Sequence, residues 1–452
     1  MFLIILFGLL GLGLVVFVHE AGHLIAAKTL GVEVEAFSLG WGRPLASFSW
    51  RGTEYRLSMF PLGGYCKMKG EESFQKAVHE RASEIPRDAG TFYGASVPRR
   101  IAILFAGPLA NGIFAVLVLS AIWFTGFSFE TFENRIILET DFPQAGSQTV
   151  SRADEAGMQT GDRIIVINGD PTPYFRDIQQ IVAASADREL SLTVMRNGDE
   201  RNLTVTPALD RQTGGGRLGI YPWIDPVIAS VDGPAAVAGL QAGDIIREAS
   251  GVEIPHSIAF SNRVQQAGSN LRVVYERGGE RFETNIAPDT ADTGRRTVGV
   301  VFASVSARTP GLGPIAALQK GTSEAAGVVV MTVRGLGTLF RGVDLTQAVA
   351  GPARIVFFTG EVASQGFQAG FGAGISSFFN FLSLLSVILG FMNLLPVPVF
   401  DGGQILINAY EGIRRKPLSA VTISRYQTVG AIIVLILIVF AVTTDILFFT
   451  GN

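Results

Sequence analysis

The sequence predicts a polytopic α-helical membrane protein with four spanning helices and a duplicated β-rich region outside the membrane. Hydrophobic residues make up 48% of the 452 residues, charged residues only 17%, and the mean hydropathy is +0.36. This is too apolar for an ordinary soluble protein. Four apolar runs have about the 20 residues that a spanning helix needs, and they lie near 2–30, 101–126, 377–395 and 427–449.

Composition excludes some classes of protein. The net charge of −3 gives no basis for nucleic-acid binding. The single cysteine, Cys66, excludes an intrachain disulfide framework. Residues 1–18 lack a basic start and their apolar run continues past His23, so we interpret them as an uncleaved first span rather than a signal peptide.

Basic residues indicate how the chain is oriented. They are concentrated in 31–100 and in the short loop 414–425, and loops rich in Lys and Arg stay on the cytoplasmic side. With four spans, both termini and the large insert then lie outside.

The first span contains His19-Glu20-Ala21-Gly22-His23. On a helix, two histidines at i and i+4 share a face and can bind one Zn²⁺, and the glutamate between them is placed to act as a general base. If 1–30 is one helix, His19 lies about 24 Å along it, inside a hydrocarbon core of about 30 Å. Ionisable groups at such depth indicate a functional site.

The segment 31–98 is expected to contain a β-hairpin on the inner face of the membrane. Residues 34–39 and 53–59 alternate as strands do, and glycines and prolines separate them. An ordinary loop is the alternative, whereas the functional interpretation is a strand edge that holds a peptide extended. Residues 71–96 are expected to be a solvated linker, with His79 at its surface.

Two further motifs lie in apolar surroundings. The second span contains Gly107-Pro108-Leu109-Ala110-Asn111, where Asn111 is either hydrogen-bonding glue between helices or a site residue. The third run ends in 393–403, N-L-L-P-V-P-V-F-D-G-G, where two prolines break the helix. Asp401 is either the N-cap of the next helix or a third zinc ligand, since catalytic zinc takes three protein ligands and leaves a position open.

The polar insert contains a repeat. Residues 156–165 resemble 238–246, and Leu218-Gly219-Ile220 resembles Val298-Gly299-Val300. The pattern A-G-x-x-x-G-D-x-I resembles the PDZ fold in a circularly permuted order. Helices are expected at 176–186 and 257–267, beside peptide grooves, and His256 is expected to be structural. The isoleucines that follow each Gly-Asp are expected to pack the core, and they are Ile164, Ile165, Ile245 and Ile246.

After the repeat, residues 316–340 are expected to form an amphipathic helix along the outer membrane surface, with a weak fifth span as the alternative. The complete division of the chain begins with a first spanning helix (1–30), the hairpin and linker (31–98), a second spanning helix (99–126), and PDZ domains at 127–214 and 215–307. It continues with the amphipathic segment (308–375), a third spanning helix with a broken end (376–401), an inner helix and loop (402–425), and a fourth spanning helix (426–449).

Taken together, H-E-A-G-H, G-P-L-A-N and the 393–403 motif resemble the site-2 protease family of intramembrane zinc metalloproteases. Four spans, a cytoplasmic hairpin and tandem PDZ domains are similar to its bacterial regulator-of-sigma-E branch. The resemblance implies that His19, His23 and Asp401 bind one Zn²⁺ and that Glu20 is the catalytic base. It also implies that Asn393, and more weakly Asn111, contacts the substrate or the oxyanion.

The resemblance further implies substrates and location. Substrates would be single-span membrane proteins, such as an anti-sigma factor already trimmed by a first protease, or remnant signal peptides. The protein would act as a monomer in a bacterial inner membrane, with its active site near the cytoplasmic side and its PDZ domains excluding untrimmed proteins. One alternative is a non-proteolytic PDZ scaffold or chaperone, which leaves Glu20, Asn393 and Asp401 unexplained. Another is a metal transporter, which would need a polar path that the fourth span lacks.

Overall fold

The chain folds into two compact units, which a computed structural model describes over residues 1–82, 84–142, 151–290, 294–339, 341–342 and 344–450. One unit contains Met1–Phe127 together with Arg308–Asn452, and we call it the membrane unit. The other contains Ser128–Ala307, and we call it the β-rich unit.

The first part of the membrane unit places a long hairpin between two long helices. Its elements are α1 (Phe2–Thr29), β1 (Val34–Trp50), β2 (Thr53–Met68), α2 (Glu71–His79) and α3 (Val97–Thr125). The hairpin of β1 and β2 turns at Arg51 and Gly52, both with positive φ. It extends well beyond the strands expected at 34–39 and 53–59, because bulges near Gly40 and Gly42 let the pairing continue.

The segment 71–96 is not the solvated linker that we expected. It begins with α2, whose Phe74 and Ala77 are buried against Leu418 and Ala420. The apolar side chains of this helix are spaced three residues apart, so they form one buried stripe within a charged segment. His79 is exposed at the end of α2, as expected.

The β-rich unit repeats one architecture. Each half contains a four-stranded antiparallel sheet. The elements of the first half are β3 (Phe127–Thr131), β4 (Ile136–Leu138), α4 (Arg152–Glu155), β5 (Arg163–Ile167), β6 (Asp170–Pro171), α5 (Phe175–Ala183), β7 (Leu190–Arg196), β8 (Asp199–Val205), β9 (Ala208–Leu209), β10 (Gly216–Arg217) and β11 (Ile220–Pro222). Those of the second half are β12 (Ile228–Val231), α6 (Gly233–Val237), β13 (Ile245–Ala249), β14 (Val252–Glu253), α7 (Ser257–Gln266), β15 (Leu271–Arg277), β16 (Glu280–Ile286), β17 (Asp289–Thr290), β18 (Arg296–Thr297), β19 (Val300–Phe302) and β20 (Val305–Thr309).

The sheet orders are β6-β5-β7-β8 and β14-β13-β15-β16. Within each half, a short strand that precedes the sheet in the chain pairs with one that follows it. β4 pairs with β11, and β12 pairs with β19, as a permuted order requires. Ile164 and Ile246 are fully buried. Ile165 and Ile245 are only half-buried, so the expectation that all four isoleucines pack the core was wrong: adjacent strand residues face opposite sides.

The aspartate of each Gly-Asp motif has a structural role. Asp162 is 1% exposed and accepts two hydrogen bonds of 2.7 Å from the guanidinium of Arg196. Asp244 is 0% exposed and accepts 2.6 and 2.7 Å bonds from Arg277. These charge-assisted pairs satisfy carboxylates that would be costly to bury alone.

The membrane unit resumes with six helices among its described residues, α8 (Pro314–Leu339), α9 (Leu345–Ala348), α10 (Pro352–Gln368), α11 (Phe371–Asn393), α12 (Asp401–Arg414) and α13 (Ala420–Thr450). Within the described ranges, four helices are long and apolar enough to cross a membrane, namely α1, α3, α11 and α13. This agrees with the four expected spans. The third begins at Phe371 and the fourth at Ala420, both earlier than expected.

Helix α8 does not lie apart on the membrane surface as expected. Ala325 packs with Ala115, Leu119 and Val387, which belong to the apolar sections of α3 and α11. Close approach is possible because Gly321 has no side chain: a Cβ there would lie 2.5 Å from Ser120 Oγ. Small residues at such crossings let helix backbones pack closely.

Candidate metal centre

The two motif histidines lie one turn apart on α1 and face the interior of the helix bundle. Each is 6% exposed, and their Nε2 atoms are 3.3 Å apart. The i, i+4 spacing brings the rings together without help from the rest of the chain.

Glycines on α1 and α3 make room for these rings. Gly22 faces α3 so closely that a Cβ there would lie 2.3 Å from the Ala106 carbonyl oxygen. Gly107 lies directly against His23, with a hypothetical Cβ 2.3 Å from Nε2. The glycine of G-P-L-A-N therefore provides the slot for the second imidazole.

Hydrogen bonds orient both rings. His23 Nδ1 donates to the Ile103 carbonyl at 2.8 Å. His19 Nδ1 lies 3.2 Å from the Asn111 amide. Because both Nδ1 atoms are engaged, both Nε2 atoms are left to face the same point, which is the usual arrangement of metal-binding histidines.

Asp401 reaches this point through a tight turn between α11 and α12. Its Oδ2 lies 3.2 Å from His19 Nε2 and 3.5 Å from His23 Nε2. The turn is possible because Gly402 and Gly403 pack on the backbone: a Cβ at either would lie 2.1 or 2.0 Å from a carbonyl oxygen. Asp401 is the first helical residue and Phe400 is the cap, so capping does not explain the aspartate.

The three side chains fit a cation. Their ligand atoms lie within 4.8 Å of one another. Asp401 Oδ2 is buried and accepts no hydrogen bond from the residues that the structure describes. A buried carboxylate oxygen without a hydrogen-bond donor requires a positively charged partner. Two histidines with one carboxylate are a known donor set for catalytic zinc.

Glu20 lies beside the metal centre in a cavity of about 430 Å³. The cavity walls come from α1, the hairpin and the end of α11, and include Trp41, Gly64, Tyr65 and Asn393. Gly64 brings β2 against α1, since a Cβ there would lie 3.3 Å from Glu20 Cγ and 2.8 Å from the Ser38 carbonyl oxygen. The cavity thus joins a carboxylate, the metal centre and a strand.

The two asparagines occupy different places. Asn393 lines the cavity, and its Nδ2 lies 3.3 Å from His19 Nε2. Asn111 is 0% exposed, lies against Nδ1 of His19, and its Oδ1 has no partner among the described residues. The structure therefore brings five of the six expected residues around one cavity and places Asn111 behind a ligand.

Sequence reasoning missed the roles of Gly107, Gly402 and Gly403. Their signal was present, because each glycine stands inside a motif singled out for other residues. No rule of spacing, however, says which imidazole or carbonyl group a glycine will face.

A buried pair of histidines and a carboxylate beside a glutamate is the set of side chains that a zinc metallopeptidase requires, and here it lies in a bundle of apolar helices. Residues 7–437 match the family described as Peptidase family M50, and the chain belongs to this family, which is that of the site-2 proteases. The protein is therefore a zinc metallopeptidase of the site-2 type.

Relatives match nearly the whole length of the chain. A putative zinc metalloprotease of Treponema pallidum is 38% identical over 448 residues, covering 98% of this chain and 99% of the relative. The regulator of sigma E protease of Haemophilus influenzae is 30% identical, with 97% of each chain covered. Among solved structures, a Listeria monocytogenes PDZ domain matches 18% of this chain and 92% of its own, with 23% identity and a TM-score of 0.17.

Proposed function

We propose that this protein is an intramembrane protease that hydrolyses a peptide bond within or near the transmembrane segment of single-span membrane proteins. The observation that carries the proposal is the convergence of His19, His23 and Asp401 within 4.8 Å, in the same cavity as Glu20. Two of these ligands belong to a helix apolar enough to span a membrane.

Each residue then has a defined task. His19, His23 and Asp401 would hold one Zn²⁺, and zinc bound there would polarise the scissile carbonyl group and make a water molecule more acidic. Glu20 accepts the proton of the attacking water and returns it to the leaving amine. The Asn393 amide donates a hydrogen bond to the developing oxyanion, and Asn111 keeps His19 oriented.

The hairpin explains how a helical substrate becomes accessible. β2 passes beside Glu20 through Gly64 and Tyr65. An extended peptide that adds to a strand edge exposes its peptide bonds, which a helix shields. We infer that the hairpin holds the substrate extended next to the metal centre.

The relatives and the loop charges support a proposal for the biological setting. The Haemophilus influenzae relative is a regulator of sigma E protease, which supports an anti-sigma factor as a substrate. We further propose that a first protease trims this substrate beforehand and that remnant signal peptides are also cleaved. The basic loops support an inner-membrane location with both termini and the β-rich unit in the periplasm. We infer that this unit comprises two PDZ domains and excludes substrates with intact outer domains.

Replacement of the catalytic base tests the proposal. Glu20→Gln should retain zinc, because Glu20 is not among the three ligands, yet abolish cleavage of a single-span reporter. Zinc content and cleavage are measured on the same purified sample. Glu80→Gln, at an exposed position after α2, is the control and should cleave normally. Cleavage by Glu20→Gln at the wild-type rate would refute the assignment of the base and favour a different mechanism.

A further inference from the structure

A buried charge cluster joins the first turn of α3 to the last turns of α12. Arg100 is 1% exposed and Glu411 is 5% exposed. Arg100 Nη2 donates to Glu411 Oε1 at 2.7 Å, and Arg87 Nη2 donates to the same oxygen at 2.8 Å. This cluster contains none of the site residues described above.

Stability alone does not explain this pair. The cost of removing two charges from water commonly equals or exceeds their attraction, and apolar side chains of similar size are often as stable. Here Arg100 Nε is also buried without a partner among the described residues. An apolar alternative would suit the surroundings, because Leu418 and Ile423 form a hydrophobic cluster nearby. Buried ionic groups are best attested as devices that fix register.

The same two helices meet again at the metal centre. Arg100 and Asn111 are roughly 16 Å apart along α3, and Glu411 and Asp401 are roughly 15 Å apart along α12, at 1.5 Å per residue. Asn111 contacts His19, and His19 contacts Asp401. The helices therefore run in opposite directions, with the ion pair linking them at one end and the metal centre at the other.

Helix α12 is held near Asp401 by the tight glycine turn and by Tyr426, whose hydroxyl group donates to the Gly403 carbonyl at 2.9 Å. It has only 14 residues, and Leu406, Tyr410 and Ile413 on it are 51%, 52% and 82% exposed. A metal centre tolerates ligand displacements of only about 0.2 Å. A second contact near the end of α12 would keep the helix from shifting about that turn and so from moving the Asp401 carboxylate.

We propose that the Arg100–Glu411 pair is a positioning device that holds α12 in register and so keeps the Asp401 carboxylate beside His19 and His23. This inference rests on the proposed function, because it assigns a purpose to the placement of Asp401. Arg87 completes the device by donating a second hydrogen bond to Glu411 Oε1.

The ionisation of Glu411 agrees with this role. Burial raises the pKa of its carboxyl group, but the hydrogen bonds and charges of Arg100 and Arg87 outweigh burial and hold the pKa below its ordinary value. The pair is therefore fully charged near neutral pH.

The test removes both charges at once, so that neither is left unpaired. In the full-length protein, the Arg100→Met/Glu411→Met double variant should fold, yet its zinc dissociation constant should rise by at least about tenfold, the lower end of what loss of an orienting partner costs. The kcat should fall with little change in KM. In zinc-free protein, amide hydrogen exchange over 402–406 should be faster. If this variant does not fold, Glu411→Gln is judged by the same measurements.

The matched control is a second buried ion pair of the membrane unit, Arg354–Asp445, whose side chains are each 6% exposed. Arg354→Met/Asp445→Met should leave zinc affinity and exchange over 402–406 unchanged. An equal loss of zinc in this control would show general destabilisation and overturn the proposal. Unchanged zinc affinity and exchange in the Arg100/Glu411 variant would overturn it while leaving the proposed function intact. If the wild type binds no zinc, the proposed function fails. Faster hydrogen exchange over 402–406 in the Arg100/Glu411 variant, but not in the control, would then still support the positioning device.

Discussion

A single methyl group at Gly107 should disable the metal centre. In the structure, a Cβ at this position would lie 2.3 Å from His23 Nε2, 2.6 Å from Cε1 and 2.9 Å from Cδ2, whereas ordinary contacts begin at 3.4 Å. The imidazole of a Gly107→Ala variant must therefore move by about 1 Å, several times the 0.2 Å or so that a metal ligand tolerates. If the backbone of α3 moved away instead, the close packing of Gly22 against Ala106 would be lost.

The expected result is a large loss of zinc affinity in a folded protein. We expect the dissociation constant, measured by competition with a chelator, to rise by at least about tenfold to a hundredfold, which is roughly 1.4 to 2.7 kcal/mol of binding free energy. Cleavage should fall in parallel and recover partly at high zinc concentration.

The chain provides a matched control on the same helix. A Cβ at Gly112 meets nothing within 4 Å, so Gly112→Ala should leave zinc binding unchanged and, if anything, stabilise α3 by up to about 1 kcal/mol. Wild-type zinc affinity in Gly107→Ala would refute the claim that this glycine provides the imidazole slot.

Three other expectations concern the hairpin and the β-rich unit. Gly64→Ala should lower kcat without lowering zinc affinity, because its methyl group would lie 3.3 Å from Glu20 Cγ; reduced zinc affinity in a metal titration would contradict this. Burial, with the charge of Arg135, lowers the pKa of His256 to about 4. Because the unfolded state then binds more protons below pH ~6.5, the free energy of unfolding should fall by about 3 kcal/mol between pH ~6.5 and ~4. His256→Asn retains an N-cap for α7 and should remove this pH dependence of stability, measured by amide hydrogen exchange of α7. An unchanged pH dependence would contradict the lowered pKa of His256. Deletion of 128–307 should allow cleavage of reporters with intact outer domains. If the variant still does not cleave them, the β-rich unit is not what excludes such substrates.

Much of the membrane unit could be predicted because its signals are local. The length and apolarity of a run determine whether a helix can span a bilayer, and this identified α1, α3, α11 and α13. Failures occurred where packing between distant segments decided the outcome. The charged composition of 71–96 favoured a solvated linker, although Phe74 and Ala77 are buried, and the charges of α8 concealed its contact with α3.

The sequence by itself determined that His19 and His23 lie on one face of a helix with Glu20 beside them, because four residues make about one turn. It also determined that the insert is duplicated. Only the tertiary structure decided that Asp401 Oδ2 lies 3.2 Å from His19 Nε2 rather than capping α12. Only it decided that Gly107 faces His23 and that Arg100 pairs with Glu411. Such contacts join segments far apart in the chain, and they depend on how closely the helix backbones approach, which no local pattern encodes.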